Sequence, residues 1–286
     1  MYHRMAKTQE TYHLSERLIR TISDWQSLTD SGDKIEDLLE AGADVNHCHG
    51  TLLPLGCASM VSDAYCVELL IENGANVNAI DGYGRAPLHY AAERDPVCTE
   101  LLLASGAHVN IRDANQDTPL HWAAFKDKVS CVEILCLNGA DTDALDYGLD
   151  TPLSWAAMKG NLDTMKILLE YNADVTTLNY NGRTPLVRSA SIQASGLNNE
   201  YDDECLHLLI KANGQFQVRN ENNQVPREIS QDNKLCELLL PLSDNPRSLH
   251  EQCRFNIRKS MGKRYLPNAV RQLPVPDTMQ NYILLR

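Results

Sequence analysis

The sequence predicts an all-α protein, in which a solenoid of helix–turn–helix–hairpin units precedes a small helical domain. The motif Asp117-Thr118-Pro119-Leu120-His121-Trp122-Ala123-Ala124 returns 33 residues later at 150–157 and, in a related form, 32 residues earlier at 85–92. A Gly-Ala pair recurs in phase with this motif, beginning at Gly42, Gly74, Gly106 and Gly139. Two motifs with one shared period indicate a repeat protein, whose units stack because none can bury its apolar side alone.

The residue types within one unit explain its expected structure. Thr118 suits the N-cap of a helix, and Pro119 suits the first helical position, where its missing N–H costs nothing. The paired alanines at 123–124 allow the next helix to approach closely. A second helix with apolar residues on its inner side follows, and Gly139 ends it in the left-handed conformation that glycine tolerates.

The repeats predict the order of segments along the chain. The interval from Pro185 to Pro226 exceeds one period, which indicates an insertion in the polar stretch between them. We expect a disordered N-terminus at 1–12, a repeat domain at 13–242 and a C-terminal domain at 246–286. Within the repeat domain we expect an N-terminal cap repeat at 13–49, full repeats at about 50–82, 83–114, 115–147 and 148–180, and closing repeats at 181–242 with an inserted loop at 191–204.

Charge is distributed unevenly along the chain. The net charge is −12, yet residues 247–286 carry eight Lys or Arg against two acidic residues, and the remainder carries 18 basic and 36 acidic residues. An acidic repeat domain argues against nucleic acid as a partner. No apolar run is long enough for a transmembrane helix and no signal peptide is recognisable, so we expect no membrane association and a cytoplasmic location. The nine cysteines are expected to be reduced.

The C-terminal domain contains two short motifs. Leu249, Cys253 and Ile257 are spaced four residues apart and form one apolar stripe on a helix, which Ser248 can start and Gly262 can stop. Downstream, Leu273-Pro274-Val275-Pro276 must be extended, and a helix is expected to resume after it. An alternative interpretation is that the first helix caps the solenoid and packs Leu249 and Ile257 onto the final repeat.

The repeats resemble ankyrin repeats, and the C-terminal domain resembles a SOCS box. Leu249, Cys253 and Ile257 match its elongin-C-binding segment (about 247–258), and Leu273, Pro274, Val275 and Pro276 match its cullin-5 segment (about 270–284). The chain thus resembles the ankyrin repeat and SOCS box family. This resemblance implies a non-catalytic substrate receptor of a RING E3 ubiquitin ligase, assembled with elongin C, elongin B, cullin-5 and RING-box protein 2, that marks an unidentified protein substrate for proteasomal degradation.

The surface that would bind this substrate is expected at the hairpin tips and on the exposed side of each first helix. Aromatic residues and arginine are favoured anchors at protein interfaces. The candidates are Tyr83, Arg85, Arg112, Asn115, Phe125, Tyr147, Asp150, Met158, Tyr180 and Arg183. For the tip tyrosines, the alternative is that each merely covers its neighbour.

No sequence motif predicts catalysis or a cofactor. His47-Cys48-His49 lacks a fourth metal ligand, and His89 and His121 are expected to form structural hydrogen bonds. Asn46, Asn78 and Asn110 resemble hydroxylation sites of ankyrin repeats, although hydrogen bonding within the hairpin explains them without modification. The alternative function is an ankyrin scaffold or inhibitor that sequesters a partner without ubiquitination.

Overall fold

The protein is all-helical, and its helices fall into two compact units, Met1–Ala140 (unit 1) and Asp141–Arg286 (unit 2). The structure, a computed structural model, describes residues 2–23, 34–194, 202–213, 218–219, 224–231, 233–244 and 248–285. The boundary between the units lies within the third of the predicted full repeats, at 115–147. The C-terminal domain therefore shares a unit with the last repeats.

Unit 1 consists of helix pairs that stack on one another. First helices pack on first helices, and second helices pack on second helices. The helices are α1 (Tyr2–Ser23), α2 (Ile35–Glu40), α3 (Pro54–Val61), α4 (Ala64–Glu72), α5 (Pro87–Ala92), α6 (Pro96–Ala104), α7 (Pro119–Phe125) and α8 (Val129–Leu137).

Unit 2 continues the same pairing and ends in three further helices. Its paired helices are α9 (Pro152–Lys159), α10 (Leu162–Glu170), α11 (Pro185–Ala194), α12 (Asp202–Ala212), α13 (Arg227–Ser230) and α14 (Asn233–Asp244). The C-terminal domain contains α15 (Leu249–Met261), α16 (Leu266–Arg271) and α17 (Asp277–Ile283).

The repeated motif starts each first helix as expected. Thr118 and Thr151 are N-caps in extended conformation, and each precedes a proline in the first turn. The Thr151 hydroxyl accepts a hydrogen bond from the Ser154 N–H at 3.2 Å. At Thr118 the backbone N–H instead donates to Nδ1 of His121 at 3.1 Å. Both arrangements satisfy polar groups that an uncapped helix end would leave unpaired.

Buried small residues bring the helices of a repeat close together. The alanine pairs at 91–92, 123–124 and 156–157 have at most 2% of their surface exposed. Six cysteines of the repeat helices are also buried, and burial raises the pKa of the Cys66 and Cys136 thiols to about 12. These cysteines therefore act as small apolar residues. The buried set is Cys57, Cys66, Cys98, Cys131, Cys136 and Cys205.

Asparagine side chains join successive repeats of unit 1. Nδ2 of Asn78 donates to the Gly106 carbonyl at 3.0 Å, and its Oδ1 accepts from the His108 N–H at 2.8 Å. Asn46 makes the same two bonds to Gly74 and Asn76. We expected these side chains to bond within their own hairpins. The structure corrects this expectation, because the carbonyls they satisfy belong to the helix end of the next repeat.

The N-terminal residues 2–12, which we expected to be disordered, form the first half of α1. The second half of α1 buries Leu18 and Ile22, which anchor the helix in unit 1. The Tyr12 ring also lies 5.0 Å from the ring of His47. Once such a helix is anchored, each added residue gains a hydrogen bond at little extra cost, so it extends towards the N-terminus.

The expected loop and linker of the last repeats are shorter than predicted. Helix α11 continues to Ala194 and α12 begins at Asp202, so both ends of the loop predicted at 191–204 are helical; residues 195–201 lie outside the described part. Helix α14 also includes 242–244, where we expected a linker. Ser191 lies within α11, where its hydroxyl donates to the Val187 carbonyl at 2.8 Å.

Candidate functional site

The first helix of the C-terminal domain, α15, has one exposed face and one buried face. Leu249 is 77% exposed and Cys253 is exposed, whereas Arg254 and Arg258 are only 5% and 6% exposed. Leu249 and Arg258 are nine residues apart, which on a helix of about 3.6 residues per turn places them on opposite sides. Two arginines are thus turned inward, while Leu249 and Cys253 are left in solvent.

The ends of α15 are as the sequence predicted. Ser248 Oγ accepts from the Glu251 N–H at 3.3 Å, and Glu251 Oε2 accepts from the Ser248 N–H at 3.1 Å. This reciprocal capping box satisfies two donors at the helix start. At the other end, Gly262 takes a positive φ of 67°, which turns the chain away from the helix.

Arg258 joins α15 to the ends of two other helices. Its Nη2 donates to the Leu169 carbonyl in the last turn of α10 at 2.7 Å, and its Nη1 donates to the Ile283 carbonyl at the end of α17 at 2.9 Å. Burial lowers the pKa of Arg258 to about 10, so the side chain remains charged at neutral pH. A cation is favourable there because helix C-termini carry partial negative charge.

Arg254 makes the equivalent contact one repeat further along. Its Nη2 donates to the Lys211 carbonyl in the last turn of α12, and its guanidinium lies 4.5 Å from the centre of the Tyr282 ring. The two arginines are one helical turn apart and cap the second helices of two consecutive repeats. Helix α15 therefore lies across the ends of α10 and α12.

Asn172 completes this contact from the repeat side. It follows α10 with a positive φ of 61°, and its Nδ2 donates to the Arg258 carbonyl at 3.0 Å and to the Gly262 carbonyl at 2.6 Å. We call Asn172, Arg254 and Arg258 the junction. Nearby, Lys263 forms ion pairs with Asp141 and, at 3.4 Å, with Asp143. Burial by itself lowers the pKa of Lys263, but these two carboxylates raise it overall.

The C-terminal domain has a small apolar core of its own. Leu266, Val270, Ile283 and Leu284 are buried, and Ile257, Met261 and Leu273 pack against them half-buried. Ile257 thus belongs mainly to this core, unlike Leu249 and Cys253. We did not expect α16, although Pro267 in its first turn is a typical sign of a helix start.

The predicted cullin segment lies in the turn between α16 and α17. Leu273 is anchored in the core, whereas Pro274 and Pro276 are exposed. Val275 is half-buried, and its carbonyl accepts from Gln280 Nε2 at 3.1 Å. As predicted, a helix resumes directly after Pro276. The turn thus exposes two conformationally restricted prolines, and it is held in place by Leu273 and by the hydrogen bond to Val275.

The candidate substrate residues of unit 1 differ in how they are held. Tyr83 is 60% exposed at a hairpin tip. The Arg85 guanidinium carbon lies over the Trp122 ring, 3.8 Å from its centre, and the Arg85 Nε is 3.7 Å from Asp113 Oδ2. Phe125 packs edge-on against Trp122, while Arg112 and Asn115 are exposed.

In unit 2, the candidate residues include two almost fully exposed tyrosines. Tyr147 and Tyr180 are 83% and 81% exposed. Leu149 lies two residues after Tyr147 at the same hairpin tip, 42% exposed and with φ at 59°. The left-handed conformation of a leucine costs about 1–2 kcal/mol of conformational free energy. Its exposure adds to that cost, because an apolar side chain in solvent gains nothing from burial. The hairpin therefore tolerates strain while presenting an apolar side chain to solvent.

The structure corrects the position expected for Asp150. It is 7% exposed, and its carboxylate accepts hydrogen bonds from Arg188 and from Asn179 Nδ2, the latter at 3.1 Å. Met158 is half-buried, and its sulfur lies 2.9 Å from Nη2 of Arg188. Arg183 is half-buried. Asp150 thus stabilises unit 2 from within and does not face a partner.

The histidines that follow the Pro-Leu pairs have the structural role that we expected. Nδ1 of His89 accepts from the Ala86 N–H at 3.0 Å, so its Nε2 donates to the Asp117 carbonyl of the next repeat at 3.1 Å. Burial lowers the pKa of His89 and keeps it neutral.

Within the part of the chain that the structure describes, no three His, Cys, Asp or Glu side chains are grouped so as to hold a metal ion. Nor does any described helix have both the length and the apolar character to cross a bilayer.

We did not predict the junction from the sequence. Arg254 and Arg258 look like the solvated face of an amphipathic helix, and a buried arginine is rare unless its donors are satisfied. One feature of the sequence could have indicated the junction. Asn172 occupies the position where earlier repeats have glycine, and like those glycines it precedes an alanine.

The matches to known proteins span the whole chain. A family model described as ankyrin repeats (3 copies) matches residues 27–113, 56–146, 95–179 and 120–220, and a SOCS box model matches residues 245–284. Similar relatives are the proteins named ankyrin repeat and SOCS box protein 8 of Mus musculus, Bos taurus and Homo sapiens. Each is 65% identical over 285 residues, which cover 100% of this chain and 98% of the relative.

Proposed function

Because this chain belongs to the ankyrin repeat and SOCS box family, we propose that it is the substrate-recognition subunit of an elongin–cullin-5 RING E3 ubiquitin ligase. The observation that carries the proposal is the exposure of Leu249 beside Cys253, on a helix whose opposite face is anchored by Arg254 and Arg258. Leu249 and Cys253 are both exposed one turn apart on this helix, and adjacent exposed apolar side chains can mark a protein-interaction site.

Elongin C is the proposed partner of this exposed face, with elongin B joining through elongin C. Leu249 and Cys253 would enter the interface. Ile257 is half-buried in the core of its own domain, so its contribution to the interface is expected to be smaller. The alternative in which Leu249 packs onto the last repeat is disfavoured by its exposure.

Cullin-5 is proposed to contact the turn formed by Leu273, Pro274, Val275 and Pro276. The exposed prolines support this assignment, because their fixed φ angles lower the entropy lost on binding. RING-box protein 2 would join through the cullin. The chain itself would contribute no chemistry: it would act by holding a substrate near the charged E2, which is catalysis by proximity. This activity implies a cytoplasmic location.

The substrate is proposed to be a protein that binds the hairpin tips and inner helices. Tyr83, Arg85, Arg112, Asn115 and Phe125 form the candidate surface in unit 1. In unit 2, the exposure of Tyr147 and Tyr180 and the strain at Leu149 support a second contact region. The other candidates there are Met158 and Arg183; Asp150 is left out because it is buried.

The first experiment compares the double variant Leu249→Ala/Cys253→Ala with the wild type when each is co-expressed with elongins B and C. Burying a leucine contributes about 1.5–3 kcal/mol, so the affinity for the elongins should fall by at least about ten- to a hundredfold. The amount of elongin that co-purifies with each variant measures this effect. Cullin-5 and, separately, cullin-2 are then added to the complexes, and their binding is quantified.

The matched control is Leu137→Ala/Cys48→Ala, which makes the same two changes at exposed positions of unit 1. This control should bind the elongins as the wild type does. If the Leu249/Cys253 variant also co-purifies fully, the proposal is wrong. If the folded wild type binds a partner but never elongin, the scaffold alternative replaces it.

A further inference from the structure

Unit 1 has an apolar groove on its second helices, away from the hairpin tips. The groove lies between α6 and α8 and has a volume of about 450 Å³. Val97 and Leu137 within it are 51% and 67% exposed. Its lining residues are Pro96, Val97, Glu100, Ser130, Glu133, Ile134 and Leu137.

The groove follows the helix direction. Its α8 wall is formed by Ser130, Glu133, Ile134 and Leu137, which are spaced at i, i+3, i+4 and i+7 and so lie on one side of the helix. The distance from Ser130 to Leu137 along a helix is about 10 Å. An amphipathic helix laid along the groove can therefore place apolar side chains from two successive turns into it.

Both walls of the groove carry a glutamate. Glu100 on α6 and Glu133 on α8 are exposed and occupy the same position in successive repeats, and Glu68 occupies it on α4. In the described part of unit 1, the side-chain ion pairs involve the carboxylates of Glu16, Glu93 and Asp113, not those of the groove. The groove thus combines an apolar floor with an acidic rim.

The corresponding surface of unit 2 lacks these features. On α10, Asp163, Lys166 and Glu170 replace Ser130, Glu133 and Leu137, and Lys166 Nζ forms a 2.7 Å ion pair with Asp163. The repeat fold therefore does not require apolar residues or unpaired glutamates at these positions. Their presence in unit 1 needs a separate explanation.

We infer that the α6–α8 groove binds a basic amphipathic helix of a partner protein, whose apolar side chains contact Val97, Ile134 and Leu137 and whose lysines or arginines pair with Glu100 and Glu133. This surface is distinct from the proposed substrate surface and from the elongin-binding face. The apolar floor contributes affinity, and the acidic rim selects a positively charged partner.

The test uses a fluorescent synthetic peptide of about 15 leucine and lysine residues in amphipathic order, long enough to form a helix when bound. Its counterpart has glutamate in place of lysine. Anisotropy titrations compare the wild type with Val97→Ser/Leu137→Ser and Glu100→Lys/Glu133→Lys. The matched control, Glu40→Lys/Glu72→Lys, makes the same charge change at exposed glutamates outside the groove.

We expect each groove variant to weaken binding of the basic peptide by about tenfold or more, and the control to change it by less than about twofold. The acidic peptide should not bind the wild type. The inference fails if the wild type does not bind the basic peptide. It also fails if the serine variant binds normally, because binding would then reflect only general attraction to an acidic protein. Elongin co-purification should be unchanged in every variant, so this test is independent of the proposed ligase role.

Discussion

The repeats of unit 1 and the last full repeat of unit 2 end their second helices differently at one structural position. Gly42, Gly74, Gly106 and Gly139 take φ angles of 96°, 86°, 90° and 84°, and an added Cβ would meet nothing within 4 Å at any of them. Asn172 takes the same left-handed conformation, but its side chain bonds α15. A helix end that in unit 1 carries no side chain is used here to attach another domain through the Asn172 side chain.

This difference shows how a repeat protein can acquire a domain without a new core between them. The backbone stays in the left-handed region, because asparagine tolerates this region better than most residues. The contacts are then polar and directional: carbonyls at helix ends accept from Arg254, Arg258 and Asn172. Such contacts define an orientation more sharply than apolar packing does.

Removal of Arg258 should have the largest effect on the junction. The variant Arg258→Ala deletes two charge-assisted hydrogen bonds made by a buried side chain, so unit 2 should lose about 3 kcal/mol of unfolding free energy. Urea unfolding, with hydrogen exchange of α15, measures this loss. The exposed Arg271→Ala is the control and should remain within about 0.5 kcal/mol of the wild type. Equal stability of the two variants would mean that the junction does not stabilise unit 2.

Exchange of the two residue types at the compared position should have a smaller effect. Asn172→Gly keeps the backbone conformation but removes both bonds to α15, so it should cost about 1–2 kcal/mol and speed hydrogen exchange in α15. The reverse change, Gly139→Asn, should alter stability by about 0.5 kcal/mol or less, because an added Cβ there has open space. If both changes cost the same, the side-chain bonds of Asn172 are not responsible.

A dependence on pH should be the smallest effect, and it should distinguish the two units. Burial holds the pKa of His89 below its ordinary value near 6.5. As the pH falls, the unfolded chain takes up this proton first, so the stabilising contribution is full above about pH 6.5 and is lost progressively below it. In unit 2, Ser154 occupies the matching position and does not titrate.

Urea unfolding of the wild type at pH 7.5 and 5.5 measures this dependence. The variant His89→Gln is compared with the wild type. Because glutamine does not titrate, the variant should lose less stability than the wild type between pH 7.5 and 5.5. If the unfolding free energy of this variant depends on pH as much as that of the wild type, His89 is not the responsible group.

Several structural features were predictable because they depend on neighbours in the chain. The helices beginning at Pro87, Pro119 and Pro152 follow from the capping and proline preferences of one short motif. The ends of α15 at Ser248 and Gly262 follow in the same way. By contrast, residues 2–12 were expected to be disordered, because their helix depends on its continuation into the buried part of α1.

By itself, the sequence determined the repeat period, the all-α class, the family and the apolar stripe that begins at Leu249. These are properties of local spacing and residue type, and they do not depend on how distant segments meet. Only the tertiary structure decided that Arg254 and Arg258 face inward, that Asp150 is buried and that Ile257 belongs to a core. The physical reason is that a charged side chain is buried only where its hydrogen-bonding partners are already positioned, and those partners lie up to 89 residues away in the chain.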